Sequence, residues 1–242
     1  MMDFDHENGA VVAVDKPYRW TSFDVIAATQ KFFRVELGIP KVKIGHAGTL
    51  DPLATGLLIL CFGKATKRIE EFMGHDKVYT GTFFVGATTP SFDLEKEADQ
   101  QYEISHINED MIKQAAASLS GDQMQMPPVF SAIKVGGKRA YKAARKGKDI
   151  ELQPRSVKIS RFEITRIQLP EVDFEIECSK GTYIRAIARD FGLALNSGAY
   201  LSALRRTKSG EISVDQAYTL DSFKEELRKH FDKPAISEPQ AL

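Results

Sequence analysis

Several features are missing from this 242-residue chain, and each absence narrows the choice of function. There is no net formal charge, because 33 lysine and arginine residues are matched by 33 aspartate and glutamate residues. No long apolar run occurs: residues 57–62 form the longest, far short of a membrane span. The acidic N-terminus lacks the hydrophobic stretch of a secretory signal. A cytoplasmic, non-membrane protein is therefore expected, and the 43% hydrophobic content is that of an ordinary folded chain.

Cysteine is equally scarce. Cys61 and Cys178 are the two cysteines, and both lie in apolar stretches without a Cys-x-x-Cys spacing. This pattern predicts buried free thiols in a reducing compartment, and it argues against a disulfide framework or a zinc cluster.

The balanced total conceals two segments of opposite charge. Residues 131–161 contain ten basic and two acidic residues, whereas residues 91–110 contain seven acidic residues and one lysine. The basic segment could attract a polyanion such as nucleic acid. Two solvated surface segments of opposite sign would give the same pattern, and for the acidic segment a solvated face is the prediction.

Hydrophobic periodicity predicts an α+β fold with a mixed, mostly antiparallel sheet flanked by helices, because no regular βαβ alternation is visible. Residues 41–55 read as a segment punctuated by Gly and Pro, and a turn is predicted at Gly136-Gly137. The predicted strands are 10–14, 57–62, 78–85, 157–167 and 172–178. The predicted helices are 22–37, 65–73, 108–119, 141–146, 182–195 and 220–231.

The stretch GHAGTLDPLATG at residues 45–56 carries the most chemical information. Its three glycines allow close backbone approach to a partner, and Pro52 restricts the backbone of Asp51. An aspartate on a stiff loop between a helix and a buried strand is expected. Its carboxylate could act as a base, nucleophile or metal ligand, although aspartate before proline is also a common turn residue.

Other chemistries find little support in the sequence. Gly63-Lys64-Ala65-Thr66 does not fit a phosphate-binding loop. No glycine stands five residues before Gly63, and Ala65 occupies the position where Ser or Thr is required. No metal-ligand spacing joins His46 to other ligands, and no Gly-x-Ser-x-Gly elbow occurs.

Residues 45–56 resemble the catalytic-aspartate motif of the TruB family of tRNA pseudouridine synthases. The resemblance continues through several blocks in family order, which is more specific than any single motif. These blocks are DKP (15–17), KVYTG (77–81), MPPVFSAIKVGGKRAYKAARKG (126–147), SKGTYIRAIARDFG (179–192) and LSALRRTKSG (201–210).

The resemblance implies a pseudouridine synthase domain over residues 10–215, with a basic thumb insertion at about 125–153. Residues 216–242 would form a C-terminal helix and a loose tail, and no PUA domain is expected. One departure from the family follows DKP, where Tyr18-Arg19-Trp20 stands and a glycine is usual.

The implied reaction converts uridine to pseudouridine at position 55, in the T loop of tRNA. It breaks the N1–C1′ bond, turns the base and joins C5 to C1′ without redox change, so neither a cofactor nor a metal is expected. Asp51 would be the catalytic carboxylate. Whether it attacks C1′ or C6, or removes a proton from C2′, stays open.

Two further catalytic residues follow from the resemblance. Arg185 is expected to pair with Asp51, although helical periodicity alone favours a solvated charge. Tyr79 would stack on the target base, and its hydroxyl could take part in removing the C5 proton. A half-buried strand tyrosine is the plainer interpretation of the same position.

The resemblance assigns five more residues to substrate binding or support. Tyr183 would contact the nucleotide, and Leu204 would close the pocket with an apolar side chain. His46 would contact the RNA where the target base leaves its stack. Lys16 and Pro17 would support the catalytic loop.

The expected partner is the T stem-loop of tRNA, bound by a monomer. Phosphate contacts would come from the basic thumb residues Lys134, Lys138, Arg139, Lys142, Arg145 and Lys146. Two alternatives are a non-catalytic tRNA-binding chaperone that uses the same surface and, more remotely, a hydrolase that releases uracil.

Overall fold

The computed structural model describes residues 4–129, 134–135, 138–139 and 152–231. Contacts divide the chain into two compact units, which are described separately. The first unit comprises Met1–Met73 with Ile212–Leu242, and the second comprises Gly74–Glu211. No helix in the described ranges is long and apolar enough to cross a membrane.

Helices and strands are numbered in chain order. The first unit contains β1 (Val11–Lys16), α1 (Ser22–Val35), β2 (Ile44–Ala47), β3 (Thr55–Phe62), α2 (Ile69–Gly74), β13 (Ile212–Ser213) and α5 (Leu220–Phe231). The second unit contains β4 (Lys77–Val85), β5 (Ala87–Thr88), β6 (Gln100–Gln101), α3 (Glu109–Ser118), β7 (Gly121–Gln125), β8 (Lys134–Val135), β9 (Lys138–Arg139), β10 (Arg155–Gln168), β11 (Glu171–Cys178), α4 (Ile184–Ala194) and β12 (Ala199–Ser209).

In the first unit, strand β3, which is apolar and buried from residue 57 to residue 62, pairs antiparallel with both β1 and β2. Helices α1 and α5 pack on it through an aromatic core that includes Phe33, Phe62 and Phe223. Helix α1 begins at a capping box: the Thr21 hydroxyl accepts from the Asp24 N–H, and the Asp24 carboxylate accepts from the Thr21 N–H. These contacts hold both strands that flank residues 48–54.

In the second unit, the strands follow the order β12-β4-β11-β10-β7, and all neighbours are antiparallel. The apolar side chains of β4 and β11 point to one face, where Phe83 and Phe174 stack with ring centroids 4.2 Å apart. Helix α4 covers this face with Ile187 and Phe191. The β8–β9 pair places Lys134 opposite Arg139, and the predicted turn at Gly136-Gly137 lies outside the described residues.

The structure confirms the α+β class and most predicted elements, and it corrects four local assignments. The predicted strands omit residues 199–209, which form β12. The aspartate loop follows β2 rather than a helix, and β7 was not predicted. The predicted helix 65–73 divides into a 3₁₀ turn, Gly63–Arg68, and α2. The predicted helix 141–146 and the tail beyond residue 231 lie outside the described residues.

The two thiols are free and buried, as predicted. Burial raises the pKa of Cys61 to about 11 and that of Cys178 to about 12. Both groups therefore stay protonated near neutral pH and act as small apolar core residues.

Candidate active site

Asp51 occupies the first position of a tight turn between β2 and β3. Its carbonyl accepts from the Ala54 N–H at 3.1 Å, and Pro52 takes the second position, where its fixed φ suits a turn. Gly48 and Gly56 flank the turn with φ values of +91° and +100°, which L side chains rarely adopt. The turn interpretation therefore holds for the backbone, while the Asp51 side chain stays partly exposed.

A buried lysine ties the turn to the segment that follows β1. Lys16 has no exposed surface, and its ammonium donates to the carbonyls of Pro17 (3.0 Å), Trp20 and Pro52 (3.3 Å). A charged group so deeply buried needs acceptors on every side, and backbone carbonyls provide them here. Lys16 thus joins the DKP block to the residue directly after Asp51.

A second clamp holds the residue directly before Asp51. The buried hydroxyl of Ser22 donates to the Leu50 carbonyl (3.3 Å) and accepts from the Leu50 N–H (2.9 Å). Both chain neighbours of Asp51 are therefore fixed by hydrogen bonds to residues 16–22. This arrangement restricts where the carboxylate can point, as a catalytic group requires.

His46 lies on β2 opposite Leu60 and is half-buried. Strand β2 leads directly into the Asp51 turn, so His46 and Asp51 belong to one strand-and-turn element. The structure therefore brings these two predicted residues into the same part of the first unit.

In the second unit, Arg185 is buried rather than solvated. It is 5% exposed; its guanidinium donates to the Ser91 carbonyl at 3.1 Å, and its Nε lies 3.6 Å from a carboxylate oxygen of Asp93. The expectation of a solvated charge from helical periodicity is wrong here. The expectation of a solvated face for the acidic segment is also wrong at Asp93, which is 4% exposed.

The loop that carries Asp93 is held by its own hydrogen bonds. The hydroxyls of Thr89 and Ser91 donate to the Asp93 carbonyl at 2.7 and 3.2 Å, and the Phe92 N–H donates to the Thr89 carbonyl. Phe92 has a φ of +59°, an uncommon value for a bulky residue. The carboxylate also accepts from the Glu95 N–H at 3.0 Å. Arg185 thus contacts a loop with a fixed conformation.

Tyr79 and Leu204 lie on neighbouring strands. Tyr79 is on β4 and Leu204 is on β12, where it stands opposite Gly81. Both side chains are half-buried against the apolar core of the second unit, on the face that α4 covers. The structure therefore places an aromatic ring and an aliphatic side chain on one face of the sheet.

Tyr183 is the residue that precedes α4, and a buried glutamine holds its backbone. Gln125, 5% exposed, accepts from the Tyr183 N–H at 2.8 Å and donates to its carbonyl at 3.1 Å. Gln125 ends β7, directly before the block 126–147. One side chain therefore links the start of that block to the start of α4.

The strand that bears Tyr79 begins with a second buried lysine. Burial, followed by the charge of Arg206, lowers the pKa of Lys77 to about 8. Its ammonium donates to the His75 carbonyl. Lys77 is therefore close to its titration point at physiological pH, unlike an ordinary lysine.

The thumb residues are described only in part. Lys134, Lys138 and Arg139 belong to the β8–β9 pair, whereas Lys142, Arg145 and Lys146 lie outside the described residues. Among the described residues, no group of three or more His, Cys, Asp or Glu side chains is arranged to hold a metal ion.

Sequence reasoning did not single out Ser22, Asp93 or Gln125 as functional. In the sequence, Ser22 is the first residue of a predicted helix, and Asp93 is one of seven acidic residues in its segment. Gln125 directly precedes the resembling block at residue 126, and this adjacency is the one signal that could have identified it. Their partners lie 28 to 92 positions away in the chain, so local patterns carry little information about them.

The chain is similar to known proteins over nearly its whole length. Residues 31–184 match the TruB family pseudouridylate synthase N-terminal domain, and residues 185–238 match the tRNA pseudouridylate synthase B C-terminal domain. The tRNA pseudouridine synthase B of Flavobacterium johnsoniae is 52% identical over 93% of this chain and 98% of its own length. Its counterpart from Phocaeicola vulgatus is 50% identical over 96% of this chain and 99% of its own.

Among solved structures, a chain in a crystal structure of a Cbf5-Nop10-Gar1 complex matches with a TM-score of 0.70 and 29% identity. The match covers 92% of this chain and 55% of that chain, so the present chain spans about half of that relative. With two family domains and close relatives matched over nearly the whole length, the chain belongs to the TruB family of pseudouridylate synthases.

Proposed function

We propose that this protein is an isomerase that converts uridine to pseudouridine at position 55, in the T loop of tRNA, with Asp51 as the catalytic carboxylate. The observation that carries the proposal is the turn that presents Asp51, clamped on both sides by Lys16 and Ser22. The near-full-length relatives named tRNA pseudouridine synthase B support the reaction and the class of substrate.

The chemistry requires one well-placed carboxylate. The N1–C1′ bond of the uridine breaks, the base turns, and C5 bonds to C1′. The proton lost from C5 is balanced by a proton gained at N1, so no electron acceptor is needed. An ionised Asp51 can serve each open pathway, either by adding to C1′ or C6 or by taking a proton from C2′.

Residues of the second unit would bind the nucleotide. The Tyr79 ring would stack on the base, Leu204 would exclude water from it, and Tyr183 would contact the nucleotide from the start of α4. The pairing of Arg185 with Asp51 stays a prediction. Its support is that Arg185 is already desolvated and held by Asp93 and Ser91, so a charge-assisted contact would cost little reorganisation.

Reaching the target uridine requires unstacking it, which costs a few kcal/mol. Phosphate contacts from the basic segment 131–161 and a contact from His46 at the vacated stack would offset this cost. We propose that the enzyme acts as a monomer on the T stem-loop, in the cytoplasm.

Incubation with an unmodified tRNA transcript tests the function directly. Pseudouridine is mapped at single-nucleotide resolution, and free uracil is measured in the same reaction. We expect one modified site, at position 55, with no uracil released. Faster tRNA refolding without any pseudouridine would favour a chaperone, and released uracil would favour a hydrolase; either result would overturn the isomerase proposal.

A further inference from the structure

The segment between β1 and α1 exposes side chains that the assignments above leave without a role. Tyr18 is 48% exposed, and the exposed guanidinium of Arg19 lies 5.6 Å from the Tyr18 ring centroid. Phe23, in the first turn of α1, is 69% exposed. Two exposed aromatic rings and a cation within six residues are unusual for a surface with no partner.

Arg19 also has an unusual backbone. Its φ of +66° lies in the left-handed region, where a side chain is strained and glycine is favoured. Strained residues of this kind concentrate at functional sites, because elsewhere the strain brings no benefit. An arginine here is therefore better explained by what its side chain binds than by how the loop folds.

The charge of Arg19 is available to a ligand. Within the described residues Arg19 forms no ion pair, and its contact is the Tyr18 ring. The nearest carboxylate along α1 is Asp24, which is engaged with Thr21 in the capping box. This surface therefore combines an uncompensated cation with aromatic faces, and both groups suit single-stranded nucleic acid.

The same segment is fixed to the Asp51 turn. Lys16 binds the carbonyls of Trp20 and Pro52 together, and Ser22 binds Leu50. Tyr18 and Arg19 lie between these two anchors in the chain. The exposed segment and the Asp51 turn therefore belong to one hydrogen-bonded unit, and an RNA strand bound at Asp51 could extend onto Tyr18 and Arg19.

We propose that Tyr18, Arg19 and Phe23 form a binding site for the RNA strand adjacent to the everted uridine. Tyr18 and Phe23 stack on unpaired bases, and Arg19 contacts a backbone phosphate while it stays over the Tyr18 ring. This inference rests on the proposed function, because it takes the occupant to be the loop strand of the substrate RNA.

The test measures binding of an unmodified T-arm RNA hairpin to Arg19→Gly and to the double variant Tyr18→Ala/Phe23→Ala. Arg34→Ala and Val35→Ala, at exposed positions near the other end of α1, are the matched controls. Affinity is measured at several salt concentrations, together with thermal midpoints and single-turnover conversion at saturating enzyme.

We expect each test variant to raise Kd about fivefold or more. Arg19→Gly should also reduce the salt dependence of log K by about 0.7, as the loss of one phosphate contact does. Its thermal midpoint should not fall, because glycine relieves the backbone strain. If the double variant unfolds, Arg19→Gly still decides the question.

This inference would be overturned if Arg19→Gly bound the RNA with unchanged affinity and unchanged salt dependence. The proposed function would stay intact in that case, provided that the wild-type protein converts the RNA. Absence of pseudouridine with wild-type protein would instead reject the proposed function. A weakening equal to that of Arg34→Ala would also contradict the inference, since it would indicate general electrostatic attraction.

Discussion

At the scale of single residues, Arg185 shows how burial changes the behaviour of a charge. An exposed ion pair contributes little to stability, but removing one partner of a buried pair leaves an uncompensated charge away from water. Asp93 is that partner here, at 3.6 Å from the Arg185 Nε. The pair therefore matters both for folding and for the direction of the guanidinium.

We predict that Asp93→Ala lowers the free energy of unfolding by about 3 kcal/mol. Asp93→Asn should cost less, because the amide oxygen can still accept from the Glu95 N–H. Both variants should slow pseudouridine formation where they remain folded. Urea unfolding and single-turnover kinetics provide the measurements.

Asp99→Asn is the matched control, since Asp99 belongs to the same acidic segment but is exposed. Its effect on stability should stay within about 0.5 kcal/mol. Equal effects of the substitutions at positions 93 and 99 would show that Asp93 has no special relation to Arg185.

Lys77 leads to a pH-dependent prediction. Its pKa of about 8 in the folded state lies below the ordinary value of 10.5, mainly because of burial. Between pH 8 and 10.5 the unfolded chain therefore holds more protons at this site than the folded chain. The unfolding free energy contributed by Lys77 consequently rises with pH across this window.

The substitution Lys77→Met should remove this contribution. We expect the stability difference between wild type and Lys77→Met to shift in favour of wild type as the pH rises from 8 to 10. The buried thiols, whose raised pKa values act in the opposite direction above pH 9, are common to both proteins and cancel. Urea midpoints at several pH values measure the difference, with exposed Lys208→Met as control. A difference that stays constant with pH would refute the assignment.

At the scale of elements, a helix or strand can be predicted from the sequence when the residues that define it are close together in the chain. Helices α1 and α3 begin within one residue of their predicted starts, because the caps Thr21 and Asn108 act within three residues. Strand β12 escaped prediction, since register shifts after Leu201 and Arg206 break the alternation on which strand assignment depends. Its buried Arg206 also lacks the apolar character expected of a central strand.

The same distinction applies to the candidate site. Asp51 was identified by a contiguous motif, whereas Asp93 contributes through a contact with Arg185 92 positions along the chain. Periodicity predicted a helix over 182–195, which the structure shows as α4, but it could not show that Ser91 and Asp93 contact Arg185 on that helix. Local patterns therefore predicted the loop that carries Asp51, but they missed Ser91 and Asp93, which hold Arg185, the expected partner of Asp51.

Close packing of β4 and β12 gives a prediction for the element that bears Leu204. A Cβ at Gly81 would collide with the Ala203 carbonyl oxygen and would lie 2.7 Å from the Phe174 ring. Gly81→Ala should therefore push β12 away and lower stability by about 1–3 kcal/mol.

Reduced conversion by Gly81→Ala is expected as well, because Leu204 stands directly opposite residue 81. Gly74→Ala is the control: a Cβ there meets nothing within 4 Å. Urea unfolding compares the two variants. A Gly81→Ala protein as stable as Gly74→Ala would contradict the packing argument.

At the scale of the whole molecule, a neutral chain can still bind a polyanion because its charges are segregated. On β10 and β11, Arg161 and Arg166 are paired with carboxylates, including Glu175 and Asp173. The basic residues at 134–148 come before these strands in the chain. Between that run and β10, the sequence contains only two acidic residues, Asp149 and Glu151. Net charge therefore says little about RNA binding here, whereas the distribution of charge along the chain is informative.

The central claim is that the Asp51 carboxylate acts on a uridine of bound tRNA. The most direct measurement compares single-turnover pseudouridine formation and tRNA affinity in Asp51→Asn with those of the exposed control Asp122→Asn. We predict that Asp51→Asn binds tRNA within about threefold of wild type and converts it about 1,000-fold more slowly or not at all, while the control is unchanged. Conversion by Asp51→Asn at the rate of the control would contradict the account.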